Sequence, residues 1–184
     1  MADDLEDEWW LKSSEAENHE TQDNNFCVCS SPEDTATSYL RTILPKWKKL
    51  TKSELPPGSP LLLIITSSAI RAVQLNREIQ DFKGEEAKCA KLFAKHFKLE
   101  EQKKYLAKQI CHMGIGTPNR LQALLKDNSL HLKNVKTIVV DWNWRDIKSK
   151  RLIDIPEIKK DFMMLLQTFL IPHVHNTKCK IGLL

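Results

Sequence analysis

Between residues 36 and 50, Tyr39, Leu40, Ile43, Trp47 and Leu50 recur at the spacing of one face of an amphipathic helix. Pro45 lies inside that run and lacks an amide donor, so a break or kink is expected there. Leu55-Pro56-Pro57-Gly58-Ser59-Pro60 then reads as a turn or linker. Leu61 to Thr66 is a short, continuously apolar run, the pattern of a strand covered on both faces. Ser67 and Ser68 offer capping hydroxyls to a helix that carries Ile70, Val73, Leu75 and Ile79 and closes near Lys83-Gly84. The alternation continues with a strand over Lys88–Ala94, a charged helix over Leu99–Lys108 and a strand over Gln109–Ile115. Thr117 as cap and Pro118 in the first turn open the next helix, which carries Leu121, Leu124 and Leu125. A strand over Val135–Asp141, a helix from Pro156 through Phe162, Leu165 and Leu166, and a strand over Lys178–Leu184 complete the pattern.

Strands alternating with helices predict an α/β fold, a parallel sheet between two helical layers. In such sheets ligands bind beyond the C-terminal ends of the strands. Residues 1–34 have no such periodicity: they hold eleven acidic residues and one base, Lys12, for a net charge of −10. They are expected to form a disordered acidic tail. The predicted organisation is therefore a tail over 1–34, a helix and Pro-rich linker over 35–60, and the α/β domain over 61–184.

Charge changes the picture most. Against the tail's −10, the remaining chain carries 27 bases and 13 acids, a net +14. A domain this basic points to a polyanionic partner, of which RNA is the commonest. Cysteine changes it less. Five unevenly spread cysteines do not make a disulfide framework, the N-terminus has neither the basic start nor the apolar run of a signal peptide, and no apolar stretch approaches the ~20 residues of a membrane helix. A soluble, non-secreted protein with reduced thiols is expected, without membrane contact.

Four segments fall at predicted strand ends: Thr66-Ser67-Ser68, Ala94-Lys95-His96, Gly116-Thr117-Pro118-Asn119-Arg120 and Asp141-Trp142-Asn143-Trp144. Their order and spacing resemble the first RecA-like domain of DEAD-box RNA helicases. Leu61 through Phe82 is similar to that family's motif Ia strand and helix, and Thr117-Pro118-Asn119-Arg120 to its Thr-Pro-Gly-Arg motif. Thr137-Ile138-Val139-Val140-Asp141 is similar to the strand entering the DEAD box. The departures remove the chemistry. None of the five glycines forms a phosphate loop ending in Gly-Lys-Ser/Thr, and Trp142 replaces the carboxylate that would activate water. Asp141 alone would remain to organise a magnesium-bound water.

This degenerate pattern resembles one family closely, the Cms ribosomal small subunit homologue proteins. The resemblance rests on Met1-Ala2-Asp3-Asp4-Leu5 with Asp7-Glu8-Trp9-Trp10, on Pro45-Lys46-Trp47, on Leu92-Phe93-Ala94-Lys95-His96, on Asp141-Trp142-Asn143-Trp144-Arg145-Asp146 and on Asp154-Ile155-Pro156-Glu157-Ile158. It implies a non-enzymatic, RNA- or RNP-associated protein of small-subunit biogenesis in the nucleus and nucleolus. Such a protein acts as a monomer within a larger RNP, beside pre-ribosomal RNA and assembly factors, and needs no cofactor or metal. RNA-contact candidates are Ser67, Ser68, Thr117, Asn119 and Arg120, because a capped helix start with an adjacent Arg suits a phosphate. Asp141, Trp142, Asn143 and Trp144 form the degenerate DEAD position, where alternation turns one indole inward and one outward; core packing is the favoured reading, beside filling of the nucleotide's volume by both or stacking of an exposed indole on a base. Trp9 and Trp10, set among acids, are candidate partner-docking residues. Two other classes stay open: an adaptor docking through that tail, and a residual nucleotide binder. Cys27 and Cys29 with His19, and His173 with His175, lack the spacing of a metal site.

Overall fold

The computed structural model describes residues 25–184. Its centre is β1 (Leu62–Ile65), buried along its whole length because every side chain in the run is apolar and helices cover both faces. β2 (Cys89–Leu92), β3 (Met113–Gly116), β4 (Thr137–Val140) and β5 (Lys180–Leu183) join it in the order β2-β3-β1-β4-β5, all parallel. Ile65 pairs with both Gly116 and Val140, so β1, β3 and β4 end level. Thr66-Ser67, Thr117 and Asp141 are thereby brought to one rim, where the chain leaves the sheet.

Alternate side chains of β1 feed two cores. Leu63 and Ile65, with Leu92 and Val140, pack under α5 (Leu99–Lys108), α6 (Pro118–Lys126) and α7 (Pro156–Leu165) through Leu106, Leu121, Leu124, Phe162 and Leu165. Leu62 and Ile64 pack against α1 (Ala36–Ile43), α2 (Trp47–Leu50), α3 (Ala69–Glu78) and α4 (Gln80–Lys83) through Tyr39, Leu40, Trp47, Leu75 and Phe82. Each fully buried aliphatic side chain contributes about 1.5–3 kcal/mol relative to exposure. α7 runs on through a wider π turn, Leu166–Leu170, into α8 (Ile171–Asn176). Pro172, which has no amide to donate one turn back, sits at that junction.

The structure differs from the sequence pattern in three places. Residues 25–34 do not belong with a solvated tail. Phe26 bridges Ile181 in parallel, Cys27 N–H donates to Ile181 O at 2.8 Å, and Ser30 N–H donates to Leu183 O at 3.1 Å. This stretch extends the sheet beyond β5; pairing with a buried strand outweighed its polar composition. Residues 1–24 lie outside the described residues, and with them the tail expected there and the docking role of Trp9 and Trp10. Second, residues 35–60 are part of the domain and not a linker. The indole of Trp47 stacks on Phe82 with centroids 5.0 Å apart and donates from Nε1 to Lys83 O. Gly182 leaves room for Tyr39, whose Oη would stand 2.5 Å from any Cβ at that position. Third, Thr117 stands at the N-cap of α6 without capping it: its hydroxyl donates to Asn119 Oδ1 at 3.0 Å. Ser68 does cap α3, its Oγ accepting from Arg71 N–H at 3.1 Å.

Candidate nucleic-acid interface

The rim carries two hollows that differ in electrostatics. The larger, about 910 Å³, lies between the end of β4 and the start of α1. Its floor is an ion pair. Arg71 Nε donates to Asp141 Oδ2 at 2.8 Å and a terminal nitrogen donates to Asp141 Oδ1 at 3.0 Å, a bidentate fork. The remaining terminal nitrogen of Arg71 donates to Glu78 Oε1 at 2.9 Å, and the guanidinium lies 5.3 Å from the ring of Trp144. Asp141 is 2% exposed and Arg71 7%. Burial pushes the Asp141 carboxyl up, only partly offset by Arg71, while burial works against the Arg71 charge and is outweighed by Asp141 and Glu78. Both carboxylate oxygens are therefore engaged, which corrects the expectation that Asp141 stands free to organise a metal-bound water.

The wall of this hollow is the segment that sequence reading placed in the tail. The extended Phe26 stretch, the loop from Ser30 to Thr35 and α1 form a strand–loop–helix unit, the arrangement from which phosphate loops are built. The loop lacks both Gly and Lys; Asp34 stands just before the helix. Its carboxylate accepts from Ser31 N–H at 2.9 Å, Ser38 Oγ at 3.0 Å and Ser31 Oγ at 3.1 Å, and these donors hold it well below the usual carboxylate range. With Glu78, Asp81 and Asp141 also present, the hollow is lined by four acids against one arginine. A triphosphate meets repulsion here. Nor do both tryptophans fill the space. Trp142 turns inward to pack on the core beneath Arg151, whereas Trp144 lines the hollow and leaves it open.

The smaller hollow, about 220 Å³, lies between the ends of β1, β2 and β3. Ser67, Thr117 and Asn119 line it together with Lys95, Phe93 and Asp161. The starts of α3 and α6, helices of 10 and 9 residues, meet here, so two sets of free amides and two positive dipole ends converge. Ser67 is 5% exposed, and its Oγ has no hydrogen-bond partner among the described residues. A buried hydroxyl left unpaired is costly unless something outside the chain completes it. Of the expected contacts, then, Ser67, Thr117 and Asn119 come together. Ser68 is spent on its cap. Arg120 turns aside: one terminal nitrogen donates to Phe97 O at 3.1 Å and Gln102 Oε1 at 2.8 Å, tying the loop after β2 in place.

Comparison with known proteins agrees with this architecture. Residues 20–183 match the family model CMS1, described as the U3-containing 90S pre-ribosomal complex subunit. The chain belongs to the CMS1 family. Protein CMSS1 of Homo sapiens is 43% identical over 161 residues, which are 88% of this chain and 57% of that protein. The Xenopus laevis protein CMSS1 is 43% identical over 169 residues, 92% of this chain and 61% of that one. Protein CMS1 of Chaetomium thermophilum is 36% identical over 129 residues, 70% and 51% of the two. The chain thus spans little more than half the length of these CMS1-family relatives. Among solved structures, the yeast DEAD-box splicing factor Prp28 superposes with a TM-score of 0.59 at 20% identity, over 85% of this chain and 34% of that one. A DEAD box protein from Methanococcus jannaschii gives 0.53 at 19%, over 88% and 39%. These likenesses establish the RecA-like fold.

The sequence pattern placed Lys95 at a strand end, but it did not mark Arg71 or Asp34 as site residues. Arg71 was hidden because its partner lies 70 residues away. The strand and loop over 26–35 had a local signal, the alternating Phe26-Cys27-Val28-Cys29 followed by Thr35, a good N-cap before the helical run.

Proposed function

We propose that this domain is a non-catalytic RNA-backbone-binding module of the 90S pre-ribosomal complex, working in small-subunit assembly in the nucleolus beside other assembly factors. The CMS1 family description supports the complex. The observation that carries the RNA reading is the unpaired, buried Ser67 hydroxyl facing a cleft where two helix N-termini meet Lys95. A phosphate there completes Ser67, accepts from helix amides and pairs with a lysine that has no acidic partner among the described residues. Described residues 25–184 carry 27 bases and 15 acids, a net +12, which adds a sequence-independent attraction. The absence of turnover in this reading rests on the other hollow, where Arg71 holds Asp141 and Asp34 stands in the loop.

Fluorescence anisotropy with short single-stranded RNA at two salt concentrations tests it. Lys95→Glu is expected to weaken binding by a similar factor for all sequences and to flatten the salt dependence. Arg120→Glu is the poorer probe, since it also frees the loop at Phe97. Wild-type affinity in Lys95→Glu and in Ser67→Ala would remove this cleft from RNA binding and leave a protein–protein adaptor as the better reading.

A further inference from the structure

The far edge of the sheet, at β2, carries a surface that RNA phosphates do not explain. Gln102 Nε2 donates to Lys91 O at 2.8 Å and Phe93 O at 3.0 Å, satisfying two carbonyls of this edge. Strand addition is thereby discouraged. What the edge offers instead is two side-chain hollows, one on each face of the sheet. Beside α5, a hollow of about 440 Å³ is lined by Cys89, Lys91, Phe97, Gln102, Tyr105 and one acid, Glu101. On the α3 side, one of about 460 Å³ is lined by Ile70, Val73, Phe93, Lys95 and, again, Lys91 and Phe97. Ile70 is 60% exposed, Tyr105 42% and Phe97 36%, so apolar surface is left uncovered on both faces of one strand. The surrounding chain is basic: residues 88–108 hold seven lysines and two glutamates.

One segment of the same chain matches this surface in chemistry and in reach. Trp9 and Trp10 follow five acids, Asp3, Asp4, Glu6, Asp7 and Glu8. The first described residue, Asn25, lies beside β5 at the other edge. Five strand spacings of ~4.8 Å put β2 roughly 24 Å away, while the 15 residues from Trp10 to Asn25 can span about 50 Å.

We propose that Trp9 and Trp10 dock in cis across the β2 edge, one indole in each hollow, with the acids of residues 3–8 against the lysines of residues 88–108. Tethering gives the contact a high effective concentration without a large interface. Lys95 lines the α3-side hollow and the Ser67 cleft alike, so the docked segment and an RNA phosphate compete for one cation.

Fluorine NMR of the full chain labelled with 5-fluorotryptophan tests this. The chain has five tryptophans, and Trp9→Phe and Trp10→Phe identify two of the signals. The expected result is that both lie away from their positions in a free peptide of residues 1–12, at every protein concentration. They should return to those positions when Tyr105→Ser and Ile70→Ser are combined, while the buried Trp47 signal stays put as a check on folding. Labelling of Cys89 by a thiol reagent should quicken in the same variant and in Trp9→Ala with Trp10→Ala. Free-peptide positions in the unaltered chain would overturn the proposal, as would displaced signals that ignore the hollow substitutions. Displacement that disappears on dilution would assign the edge to a second copy and overturn docking in cis.

Discussion

The two hollows at the strand ends lie on the same rim of the same sheet, yet one is strongly acidic and the other balances Lys95 against Asp161 beside two helix N-termini. At the end of β4, the floor and the loop spend their charges inside the protein: Asp141 on Arg71, Arg71 on Glu78 and Trp144, and Asp34 on three serine donors. At the end of β1, beside two helix N-termini, the Ser67 hydroxyl and Lys95 have no partner among the described residues. A site that satisfies itself is rigid and inert, whereas one that leaves buried polar atoms unpaired is incomplete until a ligand arrives.

The largest expected effect comes from breaking the closed site. Arg71→Met leaves the Asp141 carboxylate buried without a counter-charge and should cost about 3–5 kcal/mol. Urea unfolding at neutral pH measures it. The double variant Arg71→Met with Asp141→Leu should regain most of that loss, because apolar replacement of a buried pair is often neutral. A loss below ~1 kcal/mol for the single variant would place the pair in solvent instead.

The two neighbouring serines sharpen the contrast. Ser68→Ala removes the cap on α3 and should destabilise by about 1 kcal/mol. Ser67→Ala removes an unpaired buried hydroxyl and should leave stability unchanged or slightly raised, while weakening RNA binding. Thermal unfolding and anisotropy on both variants separate the two roles. Equal stability losses would mean that Ser67 too has a partner within the fold.

A smaller effect should appear with pH. Burial holds the His112 imidazole below its usual value, and its Nδ1 accepts from Lys88 N–H at 3.0 Å. The unfolded chain therefore takes up this proton first. The stability contributed by neutral His112 is present above the ordinary histidine pKa and is lost as pH falls through it toward the lower folded value. His173, shifted the same way by burial, acts in parallel. In His112→Gln, whose amide oxygen still accepts from Lys88, the decline in melting temperature between neutral and mildly acidic pH should be shallower than in the parent chain.

The smallest expected effect is none. Magnesium-ATP should not raise the melting temperature, since a ligand stabilises only by binding the folded state, and it should release no phosphate above background. A concentration-dependent rise would show that the acid-lined hollow still admits a nucleotide.

The alternation of apolar strands with helices was legible residue by residue. Leu61–Thr66, Val139-Val140 and the Thr117-Pro118 start each carry a local pattern that only one backbone conformation satisfies, and together these patterns imply the parallel sheet. The loss of the phosphate loop and of the water-activating carboxylate could likewise be read from glycine positions and from Trp142. Contacts between distant residues could not. Nothing local says that Arg71 reaches Asp141, that Arg120 turns to Phe97 O, or that the Phe26 stretch leaves an acidic, polar segment to lie beside β5. Those outcomes depend on which groups the folded sheet brings within hydrogen-bonding distance, and on the cost of leaving any of them buried and alone.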